Sequence, residues 1–94
     1  MFQMDKQAIS NMKKDITDYV LLNANDKNID EHVPIFELGY VNSLFAIELM
    51  CFLEQNFAIK ITTDDLEMNN FRTINTICDF VRSKKEQNDV GEDG

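Results

Sequence analysis

The sequence predicts an all-α fold of three main helices and one short one, and three observations carry that expectation. Only one Pro and three Gly interrupt 94 residues, and two of those Gly fall in the last four positions. Helices tolerate few such breakers, so their scarcity leaves room for long ones. Apolar residues recur at steps of three and four in three separate stretches, which places them on one side of a helix. Strand signals are weak: Val and Ile are scattered, and no two alternating runs are joined by a hairpin turn. The length suits one small domain with a single hydrophobic core, residues 6–85, and the 44% hydrophobic content supports a folded chain.

Taken in order, residues 1–5 read as a frayed end. From about Lys6 to Leu22, the residues Ile9, Met12, Ile16, Tyr19 and Val20 form the apolar stripe of an amphipathic helix. The polar run Asn23-Ala24-Asn25-Asp26-Lys27-Asn28 ends it. A long connection follows to Val41, pinned by Ile29, Val33, Ile35, Phe36 and Leu38. Connections this long in a small domain carry a function or pack as ordered structure.

The next helix opens at Ser43 and runs to about Asn56. Gly39 supplies a turn before it, and Asn42 stands where an N-cap belongs, its side-chain oxygen able to accept an unpaired N–H of the first turn. On a helical wheel, Phe45, Ala46, Leu49, Met50, Phe52, Leu53 and Phe57 make a wide core-facing arc. Glu48 and Gln55 lie opposite, with Leu44 and Cys51 beside them and Ile47 and Glu54 at the margin. Apolar residues among acids on an outward face suit docking against a partner. The alternative is that the long connection covers Leu44 and Ile47.

Phe57-Ala58-Ile59-Lys60-Ile61 reads as a short extended linker. Thr62 or Thr63 then caps a brief helical turn through Asp64, Asp65 and Leu66, with acids where the helix dipole favours them. Phe71 and a Thr73 cap lead into a last helix whose apolar side is Ile74, Ile77, Cys78, Phe80 and Val81. Lys84 and Lys85 suit its C-terminal end, and residues 86–94 read as a disordered acidic tail.

Composition narrows the function classes. No apolar stretch approaches the roughly 18–20 residues of a membrane span, and the N-terminus lacks a signal pattern, so the chain is expected in the cytoplasm. Cys51 and Cys78 have no close-spaced Cys or His partner, which argues against a disulfide or metal site and for two reduced, semi-buried packing residues. The net charge is −8, and residues 26–70 hold nine acids against two Lys. An acidic field centred on the Ser43 helix repels nucleic acid and anionic membranes and attracts basic protein surfaces. No long apolar seam points to an obligate dimer, and a monomer is expected.

Ser43 is the residue best placed for chemistry. As the first residue of its helix it lies outside the core, where the dipole and free N–H groups favour negative charge, a good place to attach a phosphodiester. Nucleophilic hydrolysis would need a base, yet His32 is the only histidine and reads as a lone loop residue; no Gly-x-Ser-x-Gly elbow is present. Calcium is a sharper rival: Asp26, Asn28, Asp30 and Glu37 occupy positions 1, 3, 5 and 12 of an EF-hand loop, with Val33 at position 8. Against it, Glu31 stands where the sharp turn needs Gly, and Pro34 and Gly39 interrupt the helix that should follow. The match reads as accidental. Asp64 and Asp65 read as helix-start acids and not as a general acid/base pair.

These residues carry a family resemblance. Phe36-x-Leu38-Gly39-x-x-Asn42-Ser43-Leu44, followed by Glu48-Leu49, Leu53-Glu54, Phe57 and Ile59-x-Ile61, resembles the acyl carrier proteins and related peptidyl carrier domains over residues 6–83. The resemblance implies a small four-helix bundle with one short helix. It implies that Ser43 carries 4′-phosphopantetheine, transferred from coenzyme A by a phosphopantetheinyl transferase, and that the arm's thiol holds an acyl or aminoacyl group as a thioester. The chain would then be a tethered substrate and not an enzyme. Its partners would be the transferase, acyl-loading and acyl-modifying enzymes, and synthase domains with basic docking surfaces.

One position departs from the family pattern. The residue before the serine is usually Asp and here is Asn42, which caps equally well but removes a charge that a transferase could read. Asn42-Ser43-Leu44 with Phe45-Ala46, and Asn70-Phe71-Arg72-Thr73, resemble free-standing carriers of hydroxymalonyl- and methoxymalonyl-type extender units in polyketide and mixed peptide–polyketide biosynthesis, among them antibiotic pathways. Residue-by-residue carry-over makes Leu44, Ile47, Glu48, Cys51 and Glu54 the partner-facing set. The alternatives are a fatty-acid-type or aminoacyl/peptidyl carrier, an unmodified helical interaction module, and the EF-hand-like calcium domain.

Overall fold

The Asp5 carboxylate accepts the Ala8 N–H at 2.7 Å and caps α1, Lys6–Asn23. The expected frayed end therefore does not include Asp5; the other four residues of that expectation lie outside those described. The computed structural model describes residues 5–25 and 27–91, with residues 87–91 as backbone only. Two further helices follow, α2 at Ser43–Phe57 and α3 at Ile74–Gly91, with two 3₁₀ turns between them, Thr63–Asp65 and Met68–Phe71. No strand is present among the described residues. The fold is the small all-helical bundle that the sequence predicts. Its short element is a pair of 3₁₀ turns, of which the second, Met68–Phe71, was not expected.

Each helix buries the stripe its spacing predicts. Met12, Ile16 and Val20 of α1 meet Phe45, Leu49 and Leu53 of α2 and Ile74, Ile77, Cys78, Phe80 and Val81 of α3 in one core. The irregular segments add to it: Ile29, Ile35 and Val41 from the long connection, Ile59 from the linker, and Phe71 from the second 3₁₀ turn. No polar or charged residue is buried among those described, so the core carries no unpaired charge. Truncating a core residue such as Leu53 to Ala costs about 2–5 kcal/mol, because the surrounding core collapses only in part.

The remaining connections are tied by side chains that reach across elements. Thr62 caps the first 3₁₀ turn in a reciprocal box with Asp65, whose carboxylate also pairs with Lys84 of α3 at 2.8 Å. Burial pushes the Asp65 carboxyl up, yet Lys84 and the Thr62 N–H and hydroxyl together hold it below its ordinary value. Lys85 donates to the Phe57 carbonyl at 2.8 Å, and Glu54 of α2 accepts the Ile61 N–H at 2.8 Å. Thr73 and Thr76 bond each other's backbone N–H groups at 3.0 Å, which is the expected Thr73 cap of α3.

Two expectations are corrected. The α3 helix continues through Gly91, so the first part of the expected disordered tail is helical; Lys84-Lys85-Glu86-Gln87 are good helix formers with no breaker before Gly91. The end of that tail, residues 92–94, lies outside the described residues. The cysteines are not alike: Cys78 is buried, its thiol pushed up to about 11 by loss of solvent, while Cys51 is exposed. Among the described residues no helix is long and apolar enough to cross a membrane.

Helix α2 ends on Ala58, which takes the left-handed conformation at φ 54°, ψ 44°. A side chain there is strained by about 1–2 kcal/mol, a position that glycine fills without cost. The expected outcome of Ala58→Gly is therefore a rise in stability of about 1 kcal/mol, read from urea midpoints, with the far-UV spectrum unchanged.

Candidate functional site

The connection between α1 and α2 carries Ser43 to its position, and it is held from both sides. Ile35 is fully buried; its N–H donates to the Arg72 carbonyl at 3.0 Å, which fixes the segment against the start of α3. Its carbonyl accepts the N–H groups of Tyr40 at 3.0 Å and Val41 at 3.3 Å, closing the Pro34–Val41 turn on itself. From the other side, the Asn25 N–H donates to the Tyr40 carbonyl and its side-chain amide to the Gly39 carbonyl, both at 3.0 Å. Asn75 N–H to the Glu31 carbonyl at 3.0 Å and an Arg72–Glu37 ion pair at 2.9 Å complete the frame.

Gly39 makes the reversal possible. Its φ of 76° lies where side chains are rarely tolerated, although a Cβ there would meet nothing within 4 Å. The requirement is conformational and not one of space. Three residues on, Asn42 is extended, and its Oδ1 accepts the Phe45 N–H at 3.1 Å as the predicted cap. Ser43 is then the exposed first residue of α2.

The electrostatics there favour an anion. The leading N–H groups of α2 and its dipole present partial positive charge, and its first turn contains no acid. The chain is strongly acidic as a whole, so this neutral opening is a local exception. A phosphodiester on Ser43 therefore fits the residues present. Beside Ser43 lies a cleft of about 330 Å³, lined by Phe36, Ala46 and Met50 on one side and by Leu66, Glu67, Met68 and Phe71 on the other.

The outward face of α2 is open. Leu44 is 61% exposed and Ile47 58%, so the long connection does not cover them. Glu48 and Cys51 are exposed beside them. Glu54 differs from the rest of that set, because its carboxylate is engaged on the linker backbone at Ile61. His32 is held elsewhere: it lines a different groove from Ser43, with its Nε2 3.3 Å from Glu31. Glu31 also pairs with Lys13 of α1.

The EF-hand reading finds no support in this geometry. Glu37 is spent on Arg72, Asp30 accepts the His32 N–H at 2.8 Å, and the segment around Glu37 is a turn, not a helix. Asp26 lies outside the described residues, and the described ones contain no group of three or more acids, His or Cys placed to hold a metal.

The cleft wall formed by Leu66, Met68 and Phe71 was not anticipated from sequence. Its signal was present: Leu66 and Met68 are isolated apolar residues in the polar run Thr62–Asn70, and both are more than half exposed. Isolated residues of this kind have no period to place them on a face.

A family model described as the phosphopantetheine attachment site matches residues 20–81 of the 94. The match takes in the turn, Ser43, the cleft and most of the core. A comparison with curated proteins finds no match.

Removing the cap tests how firmly the site is built. Asn42→Ala is expected to lower stability by about 1 kcal/mol, the usual worth of an N-cap, while Asn42→Asp retains it. Thermal unfolding of the three proteins side by side checks this.

Proposed function

This chain belongs to the phosphopantetheine-attachment family, and on that premise we propose that Ser43 is the residue to which the 4′-phosphopantetheine of coenzyme A is joined. The observation that carries this reading is the exposed serine at the first position of α2, at a helix start whose first turn holds no acid and beside a largely apolar cleft. Once attached, the arm supplies a thiol that holds an acyl group as a thioester and raises that group's effective concentration at each partner.

The chain's own residues have three tasks. Gly39 and the Ile35 hydrogen bonds hold the turn that leaves Ser43 exposed at the start of α2. Asn42 keeps the helix start intact without adding charge beside the phosphodiester. Leu44, Ile47, Glu48 and Cys51 offer partner enzymes an apolar surface within an acidic field, with Glu54 at its edge. A transferase and synthase enzymes with basic surfaces are the partners this field suits. In this reading the protein is a carrier, acted on by cytoplasmic enzymes and not itself catalytic.

For the cargo, we propose a substituted malonyl-type extender unit used in polyketide or mixed peptide–polyketide assembly. The support is the similarity of Asn42-Ser43-Leu44-Phe45-Ala46 and Asn70-Phe71-Arg72-Thr73 to carriers of that kind. A fatty-acid-type carrier is the second reading, favoured by the apolar cleft next to Ser43, which suits a longer uncharged chain.

Intact mass after incubation with coenzyme A and a broad-specificity transferase tests the attachment. One phosphopantetheine per chain is expected for the native protein and none for Ser43→Ala. An addition that persists in Ser43→Ala, or none with native protein and with Asn42→Asp, contradicts the proposal.

A further inference from the structure

Helix α2 has a second groove on a different face from the Ser43 cleft, where it meets α1. Tyr19 of α1 and Phe52 of α2 lie ring on ring, their centroids 4.0 Å apart and their planes 7° from parallel. The Tyr19 hydroxyl donates to the Glu48 carbonyl at 3.4 Å, which holds the stack in place. Both rings remain partly open to solvent. Two clefts of about 330 and 470 Å³ flank the stack and share Tyr19, Phe52 and Asn56, so they form one trough between the helices.

The rim of this trough combines apolar and acidic residues. Leu22 stands at one cleft, 75% exposed, and Ile47 at the other, 58% exposed. Asp15 and Asp18 line the first cleft and Glu48 the second, and no Lys or Arg lines either. Lys14, the neighbouring cation on α1, is paired with Asp18 at 3.0 Å. Leu22 belongs to none of the surface that the carrier reading uses.

We infer that this trough is a docking surface for a basic amphipathic helix presented by a partner protein. A groove between two helices accepts the ridge of a third, and the exposed Leu22 and Ile47 on either side of an aromatic floor are the anchors such a ridge needs. Charge complementarity selects the occupant. A second copy of this chain carries −8 itself and would set acids against the same acids. A helix with Lys or Arg beside its apolar stripe meets Asp15 and Glu48, and Asp18 on which Lys14 already sits, with no Lys or Arg lining the trough itself. The trough shares Ile47, Glu48 and Cys51 with the partner-facing side of α2, so on that side it rests on the carrier reading. It extends that surface onto α1 through Asp15, Asp18 and Leu22 without requiring Ser43 to be modified.

The test titrates the full-length, isotope-labelled chain with a synthetic helical peptide carrying Leu along one face and Lys on the other, followed by amide chemical shifts. Shifts are expected to cluster on Tyr19, Leu22, Ile47 and Phe52. The double variant Leu22→Glu with Ile47→Glu should bind about tenfold or more weakly, with native thermal stability because both residues are exposed. Ser43→Ala should bind as the native chain does. The milder pair Leu22→Ser with Ile47→Ser serves if the first variant loses its fold. Equal binding of a peptide whose Leu residues are replaced by Ser overturns the inference, since charge alone would then suffice. So do shifts centred on Leu66 and Met68, self-association through the trough that excludes the peptide, or no binding at all.

Discussion

The structure depends on what Ile35 does. Its side chain is fully buried, and its backbone makes three hydrogen bonds, one to Arg72 and two from the far side of its own turn. A connection of this length would otherwise fluctuate, because closing a loop costs entropy that only fixed contacts offset. Anchoring it at Ile35 sets where Gly39 reverses the chain, and hence where Asn42 and Ser43 begin α2. The same residue ties the turn to the start of α3, so the candidate attachment site is referenced to the core through that helix.

The surface divides into regions of different character. The opening of α2 is neutral and partially positive, suited to an anion. The apolar cleft beside it is walled by residues 66–71, held to α3 on one side through Asp65–Lys84 and on the other through the Phe71–Phe80 ring contact. Further along α2, apolar residues stand among carboxylates, and the trough toward α1 repeats that combination around the Tyr19–Phe52 stack. A small acidic domain can in this way present several distinct faces from a single fifteen-residue helix.

The parts of this architecture that rest on a period or a local cap were legible in the sequence. The stripes of α1, α2 and α3, the Asn42 and Thr73 caps, and the Gly39 turn each have a signal that spans a few residues. Asn42 and Ser43 were found because a cap, a turn and an apolar run coincide there. What was not legible depends on partners distant in the chain. Asn25 clasps Gly39 and Tyr40, Arg72 pairs with Glu37, and Glu54 turns to Ile61; no spacing rule reports such pairs. The cleft escaped notice for the same reason, since Leu66 and Met68 acquire a common face only when the 3₁₀ turns fold against α2. Ending α3 at Lys85 put charge pattern above the helix propensity that carries the helix to Gly91.

Native-state amide hydrogen exchange reads the anchoring of the turn residue by residue. With the turn anchored at Ile35, the amides of Ile35, Tyr40, Val41 and Phe45 are expected to be protected to the level of core amides such as those of Ile16 and Ile77, opening only with global unfolding. Exchange of Ile35, Tyr40 and Val41 at the rates of an unstructured peptide, with α1 and α3 still protected, would contradict it. The connection would then not hold Ser43 in place.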